Sequence, residues 1–356
     1  MIKKITTLII GGGKIAEQHL IALQAIDIVS VAGICDLSPS LAQFTAKRFG
    51  IPNWFTDYKQ MLNQCTADVV HVLTPPATHN SIVRTCFEFD MHVIVEKPIA
   101  LSNMEFKKLW NLAASKGLQL IENHNYRFNE PIEKLKKAVN EDKIGDIKEV
   151  EIRLALDIRS GGRYADVNFP HPSHQLPAGI IHEFITHMAY LLLHFIPEGC
   201  IEHMESVRAA WRNYGGGNLF KYDALDAAVF SDGIIGKLNF SSNQWPDAFT
   251  VKLRGTEGKA VSELYHPLCV ITGRRSVGQH LTPLVNSISA ARTIRRAGFG
   301  SLWNKIRNKG AYEGLRRFID LTYQALNTGI EPPVTYKHMD EASRLVDLLL
   351  LQENRI

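Results

Sequence analysis

The chain has 356 residues, more than one hydrophobic core usually serves, so we expect two folded domains. Apolar residues make up 45% and charged residues 21% of the sequence, which excludes a largely disordered chain, and the net charge of +4 is too small to indicate nucleic-acid binding. The five scattered cysteines form no CxxC pair, which argues against a disulfide framework or a zinc ribbon and favours a reducing compartment, the cytoplasm.

The apolar run after the two opening lysines leads into a glycine turn instead of a small-residue cleavage site. We therefore interpret it as a first strand. The most apolar later stretch, Ala189 to Ile196, is much shorter than the roughly 20 residues that cross a bilayer. We expect no membrane span.

The first 122 residues alternate short β-branched runs with longer amphipathic segments. Strands are predicted at Ile5 to Ile10, Val29 to Cys35, Val69 to Leu73, His92 to Val95 and Leu118 to Ile121. Helices are predicted at Ser38 to Phe49, Asn80 to Phe89 and Ser102 to Ser115. Such alternation indicates a doubly wound parallel sheet, so residues 1–123 are predicted to form an α/β Rossmann domain.

After about Gly145 the pattern changes to successive strands with few helices between them. The candidates are Ile147 to Ile158, Ser206 to Arg212, Asp223 to Ser231, Lys237 to Ser242 and Phe249 to Leu253. With one helix around Gly179 to Phe195, these indicate an α+β domain over residues 124–335 with an open, largely antiparallel sheet. Residues 336–356 carry a last helix, Tyr336 to Gln352, that we expect to pack back on the body.

A G-x-G-x-x-A pattern joins the first predicted strand to a helical pattern. The first glycine permits a tight turn, the second lets the backbone approach a pyrophosphate, and the small alanine allows close packing of helix and strand. A structural glycine turn would look similar. The candidate coenzyme-binding residues of this turn are Gly11, Gly13, Lys14, Ile15 and Ala16.

Asp36 closes the second predicted strand, 25 positions after Gly11, where a carboxylate accepts hydrogen bonds from an adenosine ribose. A carboxylate there repels a 2′-phosphate and no arginine follows it, so NAD is favoured over NADP. The alternative role of Asp36 is a turn or helix-cap residue, which Ser38 could also provide. A P-loop is disfavoured because Ile15 follows Lys14 where a Ser or Thr would be needed.

Three later blocks resemble the Gfo/Idh/MocA oxidoreductases, the glucose-fructose oxidoreductase and inositol dehydrogenase family. They are Thr74 to His79, His92 to Pro98 and Asn125 to Phe128. The resemblance implies that the turn after the third predicted strand lies beside the coenzyme. The coenzyme-binding residues that it implies are Thr74, Pro75, Pro76, His79, Glu96 and Lys97. It also implies that Lys97 reaches the nicotinamide and the reacting carbon. A surface lysine paired with Glu96 is the alternative.

The family has a D-x-x-x-H stretch on a helix of the second domain, and Glu183 and His187 stand at those two positions. The resemblance implies that His187 accepts the proton of a substrate hydroxyl. Residues four apart share a helix face, so Glu183 could orient that imidazole, although glutamate replaces the usual aspartate. Glu183 contacting the substrate, His182 sharing the work and a structural His187 remain open.

His182 and His187 lie about 140° apart around a helix, so they do not form the zinc pair of an H-E-x-x-H helix, and we expect no metal ion. A pocket for a polyol or an anionic sugar is predicted from donors and aromatic side chains. Its candidate residues are Tyr126, Arg127, Arg163, Tyr164, His174 and His182. Arg127 could equally form a structural ion pair.

Residues 274–317 contain ten lysines and arginines and one acid. Ile288, Ile294, Phe299, Leu302, Trp303 and Ile306 are interleaved with them. We favour a solvated helical insertion that packs on the domain or on a second subunit. The alternative is contact with an anionic membrane surface or with a phosphate-bearing substrate.

Together these features predict an NAD-dependent oxidoreductase acting on a secondary alcohol of a sugar, cyclitol or nucleotide-sugar. One alternative is a family member that uses bound NAD transiently for glycoside cleavage or epimerisation. Another is a dinucleotide-binding sensor or scaffold without catalysis. The resemblance also implies a homodimer or homotetramer.

Overall fold

In a computed structural model, residues 4–197, 204–274, 277–278, 280–306 and 312–352 are described. The chain divides into two units, residues 1–125 with 314–343 and residues 126–313 with 344–356. The first boundary lies two residues beyond the predicted one. Residues 314–335 belong to the first unit instead of the second, because helices from the C-terminal part of the chain pack there.

The described residues form two sheets and ten helices. The strands of the first sheet are β1 Ile5–Ile10, β2 Val29–Cys35, β3 Asn53–Phe55, β4 Val69–Val72, β5 His92–Val95 and β6 Leu120–Glu122. Those of the second are β7 Ile147–Asp157, β8 Met204–Arg212, β9 Ala224–Ser231, β10 Ile234–Ser241, β11 Asn243–Gly255, β12 Gly258–Glu263 and β13 Leu268–Gly273. The helices are α1 Lys14–Gln24, α2 Pro39–Phe49, α3 Tyr58–Gln64, α4 His79–Glu88, α5 Asn103–Ser115, α6 Glu130–Asn140, α7 Ile180–Leu193, α8 Thr282–Ile306, α9 Glu313–Thr328 and α10 Tyr336–Leu350.

The first sheet is parallel, in the order β3-β2-β1-β4-β5-β6, which confirms the predicted Rossmann architecture. Every residue of β4 is buried, as expected for a strand covered on both faces. The helices begin where the sequence supplies caps: Ser38 accepts from the amide of Leu41 at the start of α2, and Ser102 from that of Glu105 at the start of α5. The short β3 was not predicted, because three residues carry no periodic signal.

The second sheet has the order β13-β12-β11-β7-β10-β9-β8. Of the strand pairs described in this second sheet, β7 with β10 is parallel and the others are antiparallel, which confirms the predicted open, largely antiparallel sheet. Along β10, buried Ile234 and Leu238 alternate with exposed Ile235 and Lys237, so one face packs on the domain and the other is open. Helix α7 covers the buried face, where Gly236 allows close approach: a Cβ added there would lie 2.9 Å from Leu192.

The described part of residues 274–317, the stretch rich in lysine and arginine, is largely helical, in α8 and the start of α9. Arg292, Arg295 and Arg296 on α8 are exposed, as are Ile288 and Ile294. Three of its basic residues, Arg275, Arg307 and Lys309, lie outside the described residues. Over the described ranges, no helix combines the length and the apolar character needed to cross a membrane.

Candidate functional site

In a parallel sheet the carboxyl ends of the strands meet at one edge, and ligands bind there beside the point where the strand order reverses. That point lies between β1 and β4. The residues that follow the strands at this edge include Gly11 after β1, Asp36 after β2, Thr74 after β4, Glu96 after β5 and Asn123 after β6. The fold therefore brings most of the coenzyme-binding residues expected from the sequence to one edge.

The glycine turn has two positions with different constraints. Gly11 has a φ of +99°, and a Cβ added to it would lie 2.7 Å from the carbonyl oxygen of Leu73, so this position requires glycine. At Gly13 an added Cβ would meet no atom within 4 Å, so the space beside its backbone is open. Gly13 is also the N-cap of α1 and has no side chain to satisfy the first amides of the helix. The arrangement fits a pyrophosphate at the positive end of α1.

Asp36 links the end of β2 to the glycine turn. Its Oδ2 accepts from the backbone N–H of Gly12 at 2.7 Å, and its Oδ1 accepts from that of Ser38 at 2.8 Å. Asp36 thus shapes the turn, and Ser38 caps α2. Each carboxylate oxygen keeps a second lone pair for a ribose hydroxyl, so the structural and coenzyme-binding roles are compatible.

His79 joins the loops that follow β4 and β5. The imidazole is buried, with Nε2 2.8 Å from the carbonyl oxygen of Thr74 and Nδ1 2.9 Å from that of Pro98. Burial lowers the pKa of His79 despite these two bonds. Its position in the fold is therefore that of a clamp between the two loops, which carry Pro75 and Pro76 on one side and Lys97 on the other.

The carboxylate of Glu96 is held by two side chains. Its Oε1 lies 3.0 Å from Nε2 of His19 and accepts from Nδ2 of Asn123 at 2.6 Å. Burial raises the pKa of Glu96, but the bonds to His19 and Asn123 and the charge of Lys97 together bring it below its ordinary value. Glu96 is thus an ionised carboxylate directly before the candidate catalytic lysine.

The loop after Lys97 is hydrogen-bonded to the end of β6. The backbone N–H of Ile99 donates to Oε1 of Glu122 at 2.7 Å, and Oε2 of Glu122 lies 2.7 Å from Nε2 of His124. Both Glu122 and His124 are buried. The backbone that follows Lys97 is therefore held by a buried pair at the end of the neighbouring strand and just beyond it.

In the second unit, His187 lies on α7 in contact with two tyrosines. Its Nδ1 is 2.8 Å from the hydroxyl oxygen of Tyr190, one turn further along the helix. Its ring packs edge to face against Tyr126, with centroids 4.7 Å apart. The backbone N–H of Tyr126 donates to the Tyr190 hydroxyl at 3.2 Å. The structure thus brings together two residues that the sequence analysis assigned separately, Tyr126 and His187.

Glu183 is engaged by the segment that precedes α7. Its Oε1 accepts from the hydroxyl of Tyr164 at 3.2 Å, its Oε2 accepts from the hydroxyl of Ser173, and Nδ1 of His171 is 3.8 Å away. Arg163 donates to the hydroxyl of Tyr164 and lies over its ring. Arg163, Tyr164 and Glu183 therefore form one polar cluster.

The remaining predicted pocket residues have separate surroundings. Nε of Arg127 donates to Nδ1 of His194 at 3.2 Å. Nε2 of His174 is 2.8 Å from the carbonyl oxygen of Tyr164, which places it beside the cluster. His182 is only 1% exposed, which favours a core position over substrate contact. Among the described residues, no group of three or more His, Cys, Asp or Glu is arranged to hold a metal ion.

Several residues around these sites were missed by sequence reasoning. Tyr190 could have been found, since it is three residues after His187 on a predicted helix. Asn123 follows a predicted strand and could have been found by its place at the carboxyl edge. His19 gave no signal because its partner Glu96 is 77 positions away, and Ser173 was not singled out because it lies in a short turn outside the predicted helix that carries its partner Glu183.

Comparison with known proteins supports the assignment of the first unit as an NAD-binding domain. Residues 5–124 match the Gfo/Idh/MocA family model, described as an oxidoreductase family with an NAD-binding Rossmann fold. D-apiose dehydrogenase of Paraburkholderia graminis is 26% identical over 165 residues, 46% of this chain and 44% of the relative. Levoglucosan dehydrogenase of Pseudarthrobacter phenanthrenivorans is 29% identical over 147 residues, 39% of this chain and 38% of the relative. The chain thus matches less than half of the length of these relatives.

A solved structure resembles the chain over nearly its full length. The WlbA dehydrogenase from Bordetella pertussis, crystallised with NADH and UDP-GlcNAcA, has a TM-score of 0.76 at 18% identity, covering 99% of this chain and 96% of that one. At this identity the likeness shows a shared fold. The match to the family model bears out the predicted resemblance over residues 5–124, which have the NAD-binding Rossmann fold that the model describes.

Proposed function

We propose that the protein is an NAD-dependent oxidoreductase that oxidises a secondary alcohol of a sugar, cyclitol or nucleotide-sugar by hydride transfer. The observation that carries this proposal is the carboxyl edge of the first sheet, where an open glycine turn, Asp36 and the Glu96-Lys97 pair follow neighbouring strands. The relatives support the substrate class, since two are dehydrogenases of apiose and levoglucosan and the WlbA structure contains a nucleotide-sugar.

The residues present fit NAD. The open backbone at Gly13 and the first turn of α1 would hold the pyrophosphate, and the lone pairs left on Asp36 would accept from the ribose hydroxyls. Bound NAD supplies the hydride acceptor. Lys97 would lie beside the reacting carbon, where its ammonium group can take part in proton transfer with the substrate.

His187 is proposed as the base that accepts the hydroxyl proton of the substrate. A neutral imidazole is a base at one nitrogen only, and Nδ1 is occupied by the Tyr190 hydroxyl. His187 can therefore accept a proton at Nε2 when Nδ1–H donates to Tyr190. This assigns Tyr190 a positioning role that the sequence analysis did not anticipate.

The cluster around Glu183 is proposed as a substrate-binding surface. Arg163, Tyr164 and His174 offer donors and an aromatic face for sugar hydroxyls or an anionic group. The contacts of Glu183 with Tyr164 and Ser173 favour a role in holding this surface. The expected role of Glu183 in orienting His187 stays a prediction.

We propose a cytoplasmic homodimer or homotetramer, and the free thiols of the four described cysteines, Cys35, Cys65, Cys86 and Cys269, suit a reducing compartment.

The exposed arginines and isoleucines of α8 suit contact with a second subunit or with an anionic membrane. Pelleting with phosphatidylserine vesicles at low salt separates these two proposals. Binding to the vesicles supports membrane contact, and a protein that stays in the supernatant rules membrane contact out.

Lys97→Ala tests the enzymatic proposal. We expect turnover to fall by about 10²- to 10⁴-fold with NADH affinity nearly unchanged, because the ammonium group acts on the reacting carbon. The exposed Lys108→Ala is the matched control and should keep full activity. Full activity in Lys97→Ala refutes the assignment.

Two further measurements separate the alternatives. Net accumulation of NADH during turnover supports a dehydrogenase, whereas product formation without NADH release supports transient use of NAD in glycoside cleavage or epimerisation. Tight NADH binding without hydride transfer to any sugar, cyclitol or nucleotide-sugar of a broad panel supports a sensor or scaffold.

A further inference from the structure

A chain of buried polar side chains runs through the first unit and ends at Glu96. Nε2 of His19 lies 3.0 Å from Oε1 of Glu96, and Nδ1 of His19 lies 2.9 Å from Nδ1 of His71. Nε2 of His71 is 2.9 Å from the hydroxyl of Tyr323, which is 2.5 Å from Oγ1 of Thr7. All four residues before Glu96 are 0% exposed, and they come from α1, β4, α9 and β1.

The number of hydrogens restricts this chain to two arrangements. Glu96 is ionised and accepts, so Nε2 of His19 carries a hydrogen. If His19 is neutral, its Nδ1 accepts from Nδ1–H of His71, whose Nε2 then accepts from the hydroxyl of Tyr323, and Thr7 donates to Tyr323. If His19 carries a second proton, the three bonds beyond it reverse. His71 is neutral in both arrangements, in line with burial and the nearby His19, which lower its pKa well below the ordinary value.

Neighbouring groups act on this series of hydrogen-bonded side chains at its two ends. Lys97 and the amide of Asn123 act on Glu96. At the far end, burial raises the pKa of Tyr323, so its hydroxyl stays protonated, and the charge of Asp68 adds to this effect. The hydroxyl of Tyr323 therefore remains a donor whose direction depends on His71.

We propose that His71 and Tyr323 are positioning residues of the coenzyme site: the hydroxyl of Tyr323 holds the ring of His71, His71 holds the ring of His19, and His19 holds the Glu96 carboxylate beside Lys97. The inference rests on the proposed function only in taking Glu96 as part of the NAD site. It also gives residues 314–343 a role there, because α9 supplies the hydroxyl that completes the chain.

Tyr323→Phe removes the hydroxyl and keeps the ring. We expect the ring ¹⁵N resonances of His71 and His19 to change tautomeric pattern, the Kd for NADH to rise about fivefold or more at neutral pH, and the pH midpoint of NADH binding to move. Thr322→Val is the matched control, because it removes a buried hydroxyl from the same helix. That hydroxyl donates to the carbonyl of Phe318 and takes no part in the hydrogen bonds from Thr7 to Glu96. It should leave the tautomers and the midpoint unchanged.

The unaltered protein provides a second test that does not depend on a stable variant. Adding NADH should shift the ring ¹⁵N resonances of both His19 and His71, while the exposed His266 stays in place. The proposal is overturned if His71 does not respond to NADH, if Tyr323→Phe keeps the wild-type tautomers and pH midpoint, or if Thr322→Val shifts them equally. Because NADH binding is the readout, absence of sugar oxidation would contradict the proposed function without affecting this result.

Discussion

Gly13→Ala tests the assignment of the pyrophosphate site without disturbing the fold. Gly13 has a φ of −68°, which alanine adopts readily, and an added Cβ would meet no protein atom within 4 Å. The free energy of unfolding should therefore change by no more than about 1 kcal/mol, because the lower entropy of the unfolded chain with alanine opposes the poorer preference of alanine for an N-cap. The methyl group would instead occupy the space proposed for a phosphate.

The expected loss follows from hydrogen-bond energies. A methyl carbon about 1.5 Å from Cα prevents a phosphate oxygen from approaching the first amides of α1. One lost charge-assisted hydrogen bond costs about 1.5 to 3 kcal/mol, so the Kd for NADH should rise roughly 10- to 100-fold. The assay is titration with NADH, followed by quenching of tryptophan fluorescence.

Gly11→Ala is the contrasting variant. Its φ of +99° and the 2.7 Å approach to Leu73 predict a loss of stability of at least about 1 to 3 kcal/mol, measured by denaturant unfolding. The two glycines are thus expected to separate folding from binding. Wild-type affinity for NADH in Gly13→Ala would show that no phosphate lies against this backbone and would refute the reasoning.

Three further predictions concern charge and hydrogen bonding. Asp36→Asn should lower the preference for NAD over NADP about tenfold in Kd, because the repulsion of a 2′-phosphate is removed; an unchanged ratio contradicts the ribose assignment. Tyr190→Phe should lower kcat about tenfold and move its pH profile, with NADH affinity unchanged, because His187 loses its Nδ1 partner; an unmoved profile contradicts the positioning role. Burial lowers the pKa of His71 and His79, so the unfolded chain takes up protons before the folded protein does as the pH falls below about 6.5. The free energy of unfolding should therefore fall there by up to about 1.4 kcal/mol per pH unit for each histidine. Equal denaturant midpoints at pH 7.5 and 5.5 would contradict this.

The sequence predicted those elements whose cause is local. The short runs rich in β-branched residues at β1, β2 and β5 gave their bounds correctly, since such residues favour strands. The glycine turn and the three family blocks identified the NAD-binding Rossmann fold before any coordinates. Strands β12 and β13, at one end of the second sheet, were not predicted, and β13 is half-buried at every residue and so shows no alternation of buried and exposed positions.

The partners of the site residues were decided by tertiary structure. Strand order alone places Asp36 against Gly12 and Asn123 against Glu96, and these pairs lie 24 and 27 positions apart in sequence. The largest separation is that of Thr7 and Tyr323, 316 positions, which reflects the return of residues 314–343 to the first unit. A sequence read by periodicity contains local propensity and burial, whereas hydrogen bonds between distant side chains exist only once the chain has folded.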